Sequence, residues 1–169
     1  NLIDGADLLS AEQRDKALGL AERPLGPSRF EFVTSDEIYT AALESRPYRV
    51  RGMVGFGANL VMAHADSARG RDALASLDFY VHADLFMSPT VELADIVLPK
   101  TTGIEEEDVK LAHSAGAVTY TYPVVAPRGE ARGDLEIAIA LLDRMVARNA
   151  VRKNLFRWRT SREFVEFLL

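Results

Sequence analysis

The stretch FYVHADLFMSPTVELADIVLP, residues 79–99, sets two short apolar runs on either side of a segment with helix-start chemistry. Ser88 can cap a helix whose first residue is Pro89, and proline is favoured there because the N–H it lacks would have no partner. The pattern predicts a strand over 79–83, a short helix from Ser88 through Leu93, and a strand over 95–98 stopped by Pro99. Strands this short and this apolar, alternating with helices, make a parallel sheet covered on both faces. The fold class expected is therefore α/β.

Upstream, Val50, Met53, Val54 and Phe56 form a further apolar strand starting near Arg49 and ending in Gly55-Phe56-Gly57-Ala58-Asn59. Helical spacing follows from Ser67 to Leu77, completing a strand-loop-helix unit. Thr34-Ser35-Asp36-Glu37 opens an amphipathic helix over about 35–45, behind the β-prone run Phe30-Glu31-Phe32-Val33. Ser10 with Gln13 three residues on marks a short helix over 10–19, before Pro24, Gly26 and Pro27 break the chain. Downstream, the acidic run Glu105-Glu106-Glu107-Asp108 reads as a solvated loop, since it lacks the alternating oxygen ligands and central Gly of a calcium loop. A β-prone stretch from Ala117 to Val125, a polar loop over 127–133 and a helix from Asp134 to about Arg148 complete the order. Asp134 is expected at the N-cap of that helix. Basic and aromatic residues close the chain, Arg152, Lys153, Arg157, Trp158 and Arg159 ahead of Phe164 and Phe167, and packing or contact with other parts of a longer protein is their expected work. The chain divides on this reading into a peripheral segment 1–47, a central lobe 48–150 and an extension 151–169.

The 169 residues carry 20 Lys+Arg against 25 Asp+Glu, a net charge of −5, which excludes a simple polycation that coats nucleic acid. No apolar run approaches the roughly 18 residues that span a bilayer, so a membrane is not an expected partner either. With no cysteine, the chain offers no disulfide, thiolate cluster ligand or cysteine nucleophile. His64, His82 and His113 fall in different elements and read as packing or surface residues, so no metal ligand is assigned. The sequence opens Asn-Leu-Ile-Asp-Gly without Met, which is expected of a piece excised from a longer chain. The compartment is not encoded; cytoplasm is the default, and periplasm follows if a twin-arginine signal lies upstream.

In an open parallel sheet, ligands sit outside the carboxyl ends of the strands, where loop amides and helix N-termini face solvent. Gly57 lets backbone approach a ligand and Asn59 brings donors and acceptors; the competing reading is that Gly55 and Gly57 only relieve a tight turn. Asp84 can accept from ribose hydroxyls or from the N–H edge of guanine, or it can simply cap the turn toward Ser88. The third glycine of a dinucleotide fingerprint would fall at Leu60, so an ordinary nicotinamide site is disfavoured.

Four segments together are specific: Gly55-Phe56-Gly57-Ala58-Asn59, Ala83 to Thr90 (ADLFMSPT), Leu93 to Pro99 (LADIVLP), and Pro127 to Asp134 (PRGEARGD). In that order and spacing the chain resembles the molybdopterin oxidoreductase family of dimethyl sulfoxide reductase and formate dehydrogenase type, over roughly residues 48–145. The resemblance implies a three-layer, Rossmann-like lobe with a mostly parallel sheet, part of a large catalytic subunit that carries molybdenum or tungsten on molybdopterin guanine dinucleotide. It implies that the lobe holds the guanosine diphosphate end of one pterin, with Asn59, Ala83, Asp84 and Asp134 as cofactor contacts beside Gly57 and Ser88 on the same edge. The metal and any cluster would be held by sequence outside these residues, no catalytic residue is assigned here, and the implied partners are the remaining domains of the subunit and an electron-transfer subunit. Two departures stand out: Leu60 replaces the Pro usual after Asn, and Glu105-Glu106-Glu107-Asp108 replaces an E-x-E-G in which a basic residue is common. An added acid repels a diphosphate, which motivates the alternative of a silent docking lobe that no longer binds cofactor. An independent small nucleotide-binding protein is a second alternative, disfavoured by the missing start Met.

Overall fold

The computed structural model describes residues 9–23, 32–112, 117–153 and 157–168. Pro24, Gly26, Pro27, Phe30, Glu31 and His113, all named in the sequence reading, lie outside them. The chain forms two compact units, one within Asn1–His82 and Phe86–Val97, the other within Ala83–Leu85 and Leu98–Leu169.

In the first unit, α1 (Ala11–Lys16) starts where Ser10 and Gln13 predict it. The Ser10 hydroxyl accepts from the Gln13 amide at 3.2 Å and the Gln13 side chain accepts from the Ser10 amide at 2.8 Å. The helix stops at Lys16 because Ala17 is extended and Gly19 turns the chain at φ 72°, earlier than the pattern to residue 19 suggests. Phe32 and Val33 are exposed and form no strand. α2 (Ser35–Glu44) matches its expected span and buries Tyr39, Ala41 and Ala42. β1 (Gly52–Phe56) leads into a short α3 (Leu60–Ala63) that the sequence reading missed, then into α4 (Ser67–Ala75). Asp66 caps α4, its carboxylate accepting from the Arg69 amide at 3.1 Å.

β2 (Phe79–Asp84) and β3 (Ile96–Pro99) complete a parallel sheet in the order β1-β2-β3, so the mixed α/β expectation holds. Asp95, expected to start the last strand, stands just outside it: its carboxylate accepts from the Tyr80 amide at 2.7 Å and its own amide donates to the Tyr80 carbonyl at 2.8 Å. The helix expected from Ser88 is a single 3-10 turn, Val91–Leu93.

Alternation along the strands puts Met53 and Tyr80 toward the helices, where Val61, Leu74 and Tyr80 form a core joined by Met53, Leu60, Leu77 and Leu93. Between α2 and α4 a second cluster joins Tyr39, Ala42 and Ala73. Arg69 ties the same two helices, donating to Asp36 at 2.6 Å, Glu44 at 2.8 Å and Thr40 at 2.9 Å. Gly55 owes its place to packing rather than to a turn: a Cβ there would lie 2.6 Å from Nδ1 of the buried His82 ring. On the opposite side of the strands Val54 is 47% exposed and Phe79 50%.

In the second unit, β4 (Asp108–Ala112) pairs antiparallel with β5 (Ala117–Thr121), Asp108 opposite Thr121 and Ala112 opposite Ala117. The β-prone stretch therefore ends at Thr121, short of Val125. α5 (Asp134–Ala147) takes Gly133, not Asp134, as its N-cap. Gly133 adopts the extended cap conformation, which leaves the Asp134 side chain free of capping duty. A Cβ on Gly133 would strike the Glu106 carboxylate.

The acidic run is folded rather than solvated. Glu105 accepts from the Thr102 amide at 2.9 Å, Glu106 from the Thr101 hydroxyl at 2.5 Å, and Glu107 pairs with Arg162 at 2.9 Å. The Thr102 amide holds the Glu105 carboxyl below its usual range. The basic tail packs on its own unit: Trp158 meets Phe164 edge-on at 4.7 Å, Arg159 pairs with Asp143 at 2.8 Å, and α6 (Ser161–Leu168) carries Arg162.

Candidate functional site

Gly57, Asn59 and Ser88 lie in the first unit. Gly57 adopts φ 62°, a left-handed conformation that turns the chain out of β1 and is open to glycine at little cost. Asn59 and the Ser88 segment are brought together by a residue to which the sequence reading gave no role. Thr90, fully buried, donates through its hydroxyl to Asn59 Oδ1 at 2.8 Å and accepts from the Val61 amide at 2.9 Å. The signal was its place two residues after Ser88, at the head of the 3-10 turn. Ser88 accepts from the Val91 amide at 3.4 Å through its hydroxyl and from the Glu92 amide at 3.0 Å through its carbonyl, so it anchors the turn. Replacing Thr90 with Val keeps the shape but leaves the Val61 amide buried without its acceptor. The expected loss is about 1–3 kcal/mol, read by urea unfolding together with faster amide exchange at Val61.

Ala83, Asp84 and Asp134 belong to the second unit. Ala83 is buried and its methyl group offers a ligand no polar contact. The Asp84 carboxylate accepts from the Leu85 amide at 2.6 Å, and its carbonyl accepts from the Lys100 amide at 3.2 Å. Lys100 then links Asp84 to Asp134: its ammonium donates to Asp134 Oδ2 at 2.6 Å. Asp134 Oδ1 is buried and accepts no hydrogen bond among the described residues. A segment beside the end of β3 fixes this geometry, since the Thr101 amide donates to the Arg132 carbonyl and the Arg132 amide to the Pro99 carbonyl, each at 3.2 Å.

Lys100 and Asp134 line a cavity of about 400 Å³ that also takes in Thr101, Glu105, Glu106, Asp108, Glu136 and Arg159. Its wall carries more carboxylates than cations and favours N–H donors. Lys100 is one of the cations, a cue visible in the sequence directly after Pro99 yet assigned no part there. Buried His82 hydrogen-bonds Tyr80 and His64 is exposed, and among the described residues no three His, Asp or Glu side chains group as a metal-holding set. Nor is any helix among them long and apolar enough to cross a membrane.

The family model for molybdopterin oxidoreductases matches residues 16–144. Dopamine dehydroxylase of Eggerthella lenta is 34% identical over 142 residues, which is 83% of this chain and 14% of that protein. Acetylene hydratase of Syntrophotalea acetylenica is 31% identical over 109 residues, 64% of this chain and 15% of that protein. Among solved structures, acetylene hydratase from Pelobacter acetylenicus superposes with a TM-score of 0.68 and 25% identity, over 95% of this chain and 22% of that one. The chain thus spans about a seventh to a fifth of the length of these three relatives. With the model covering most of its length, the chain belongs to the molybdopterin oxidoreductase family.

Proposed function

We propose that this chain is a cofactor-binding part of a molybdenum or tungsten oxidoreductase and holds the guanosine diphosphate end of one molybdopterin guanine dinucleotide. The family implies a pterin cofactor bearing molybdenum or tungsten; the guanine dinucleotide form, and its placement on this chain, are the present reading. One observation carries it: Asp134 lines a 400 Å³ cavity with a side chain 46% exposed, and one of its carboxylate oxygens accepts no hydrogen bond among the described residues. Guanine's N1–H and exocyclic amine are two adjacent donors, and a carboxylate is the matching acceptor. In the first unit, Gly57 and the Asn59–Thr90 pair are polar features of the loops after the strands, each held by its own local geometry.

The metal, when bound in the longer protein, supplies two-electron or oxygen-atom transfer. This chain's residues bind and orient the nucleotide end, and none is assigned a proton-transfer or nucleophilic role. The remaining domains of a catalytic subunit and an electron-transfer subunit are the partners this reading requires. The alternative, a silent docking lobe, draws support from the acidic wall of the cavity, which opposes a diphosphate.

Titration of the 169-residue chain with GDP, followed by amide NMR, separates the two. Shifts confined to the loops around Gly57, Asn59, Asp84 and Asp134 are the expected result. No response up to millimolar GDP with the fold intact would instead favour the docking lobe.

A further inference from the structure

We infer that Thr90, without touching the nucleotide, fixes the Asn59 amide so that its N–H donors are the half left to a ligand. Resting on the function proposed above, this adds a positioning residue to it and gives the sign of one contact.

The two side chains have exchanged work. Asn59 stands at the N-cap of α3 and Thr90 at the N-cap of the 3-10 turn, and both residue types commonly spend their side chains on the turn they open. Neither does so here. The Val61 amide of α3 is met instead by the Thr90 hydroxyl, 29 residues away in sequence, at 2.9 Å. The 3-10 turn is held by Ser88, whose hydroxyl accepts from the Val91 amide. Asn59 is thereby released from capping, and the Thr90 hydroxyl, on Oδ1 at 2.8 Å, sets its amide plane. Which half faces Thr90 follows from the chemistry of a buried hydroxyl. Thr90 is fully buried and its oxygen already accepts from Val61, so its proton needs an acceptor. Asn59 Oδ1 supplies one; a flipped amide would set N–H groups against that proton and leave a buried donor unpaired. The nitrogen is consequently the half turned away from Thr90. Asn59 is only half-buried, and among the described residues its nitrogen has no hydrogen-bond partner. The preceding Gly57 and Ala58 are exposed, so a ligand can reach this loop. Two N–H donors there take an oxygen acceptor, on the diphosphate or on the nucleoside.

Affinities for GDP and guanosine, measured by NMR titration of the 169-residue chain and its variants, test both halves. Asn59→Ala is expected to weaken GDP about tenfold, and Asn59→Asp, which exchanges the donors for an acceptor at nearly constant shape, to weaken it at least as far. If either variant binds GDP as well as the parent, Asn59 gives the ligand no donor and the inference is wrong. A loss shared by guanosine places the acceptor on the nucleoside, and one confined to GDP places it on the diphosphate; both uphold the donor. Thr90→Val is expected to weaken GDP about tenfold, and Thr90→Ser to restore binding to within about twofold. On an Asn59→Ala background Thr90→Val should weaken GDP no further, since it acts through Asn59. A Thr90→Val chain that unfolds more readily yet binds GDP like the parent makes Thr90 a cap and nothing more. A Thr90→Val loss that persists in full beside Asn59→Ala overturns the inference as well. Should Thr90→Val not fold, the parent decides: its Asn59 side-chain NH2 signals shift on GDP addition, and signals that stay in place refute the donor. In each contrary case GDP binding by the parent leaves the proposed function standing, whereas failure of the parent to bind either ligand removes that function and the role of Thr90 with it.

Discussion

Replacing Tyr80 with Ala lowers the stability of the chain by about 3–5 kcal/mol, the range for removing a buried aromatic ring from a core. Tyr80 is buried at the middle strand of the sheet and forms one cluster with Val61 and Leu74, against which Met53, Leu60, Leu77 and Leu93 pack. Its hydroxyl hydrogen-bonds the ring of His82, and the two rings meet edge-on with centroids 5.6 Å apart. Deleting the ring therefore removes apolar contact from α3, α4 and the 3-10 turn together. Tyr80→Phe keeps the ring and loses the hydrogen bond, with an expected cost of about 0.5–1.5 kcal/mol. Urea unfolding followed by far-ultraviolet circular dichroism measures both. A Tyr80→Ala loss of only about 0.5 kcal/mol, typical of a surface site, would show that this cluster does not organise the sheet.

Asp134→Asn weakens GDP binding about 10- to 100-fold, because hydrogen bonds to a charged group contribute about 1.5–3 kcal/mol. The exchange is nearly isosteric, yet it replaces one acceptor oxygen with an amine that faces the donors of the guanine edge. It removes the negative charge as well, so Lys100 loses its ion-pair partner. Asp134 does not cap α5, and the helix should therefore survive the change. Calorimetric titration with GDP, beside an unchanged circular dichroism spectrum, is the measurement. Equal affinity of parent and variant would exclude Asp134 as the reader of the base.

The three parallel strands were legible because each is a short apolar run bounded by glycine, proline or polar residues, and their limits moved by only a few residues. Ser10 and Gln13 were equally plain, since a capping box is chemistry between close neighbours. Features that depend on distant partners were not legible. Glu107 looks solvated until Arg162, 55 residues on, is found beside it. Gly55 looks like turn chemistry until the His82 ring is seen to fill the space a side chain would need. At residue 134, Asp is a strong capping residue and the preceding Gly is a weaker one, so local preference points to the wrong position; the pairing with Lys100 across 34 residues explains the carboxylate instead. For the candidate site, the residues read independently of any family gave only the loops at the strand ends. Resemblance singled out Asp134, and neither route gave Thr90 or Lys100 a role.

The exposure of Val54 and Phe79 on one side of the sheet, among the described residues, has a colloidal consequence. Adhesive β-branched and aromatic surface is held apart between copies by little more than the mutual repulsion of chains that each carry a net charge of −5. At about 0.15 M salt that repulsion reaches only about 8 Å. Ionic strength, rather than folding, then sets how concentrated a sample can become before copies adhere, and a long titration is best run in dilute buffer well above the pH at which the charge vanishes.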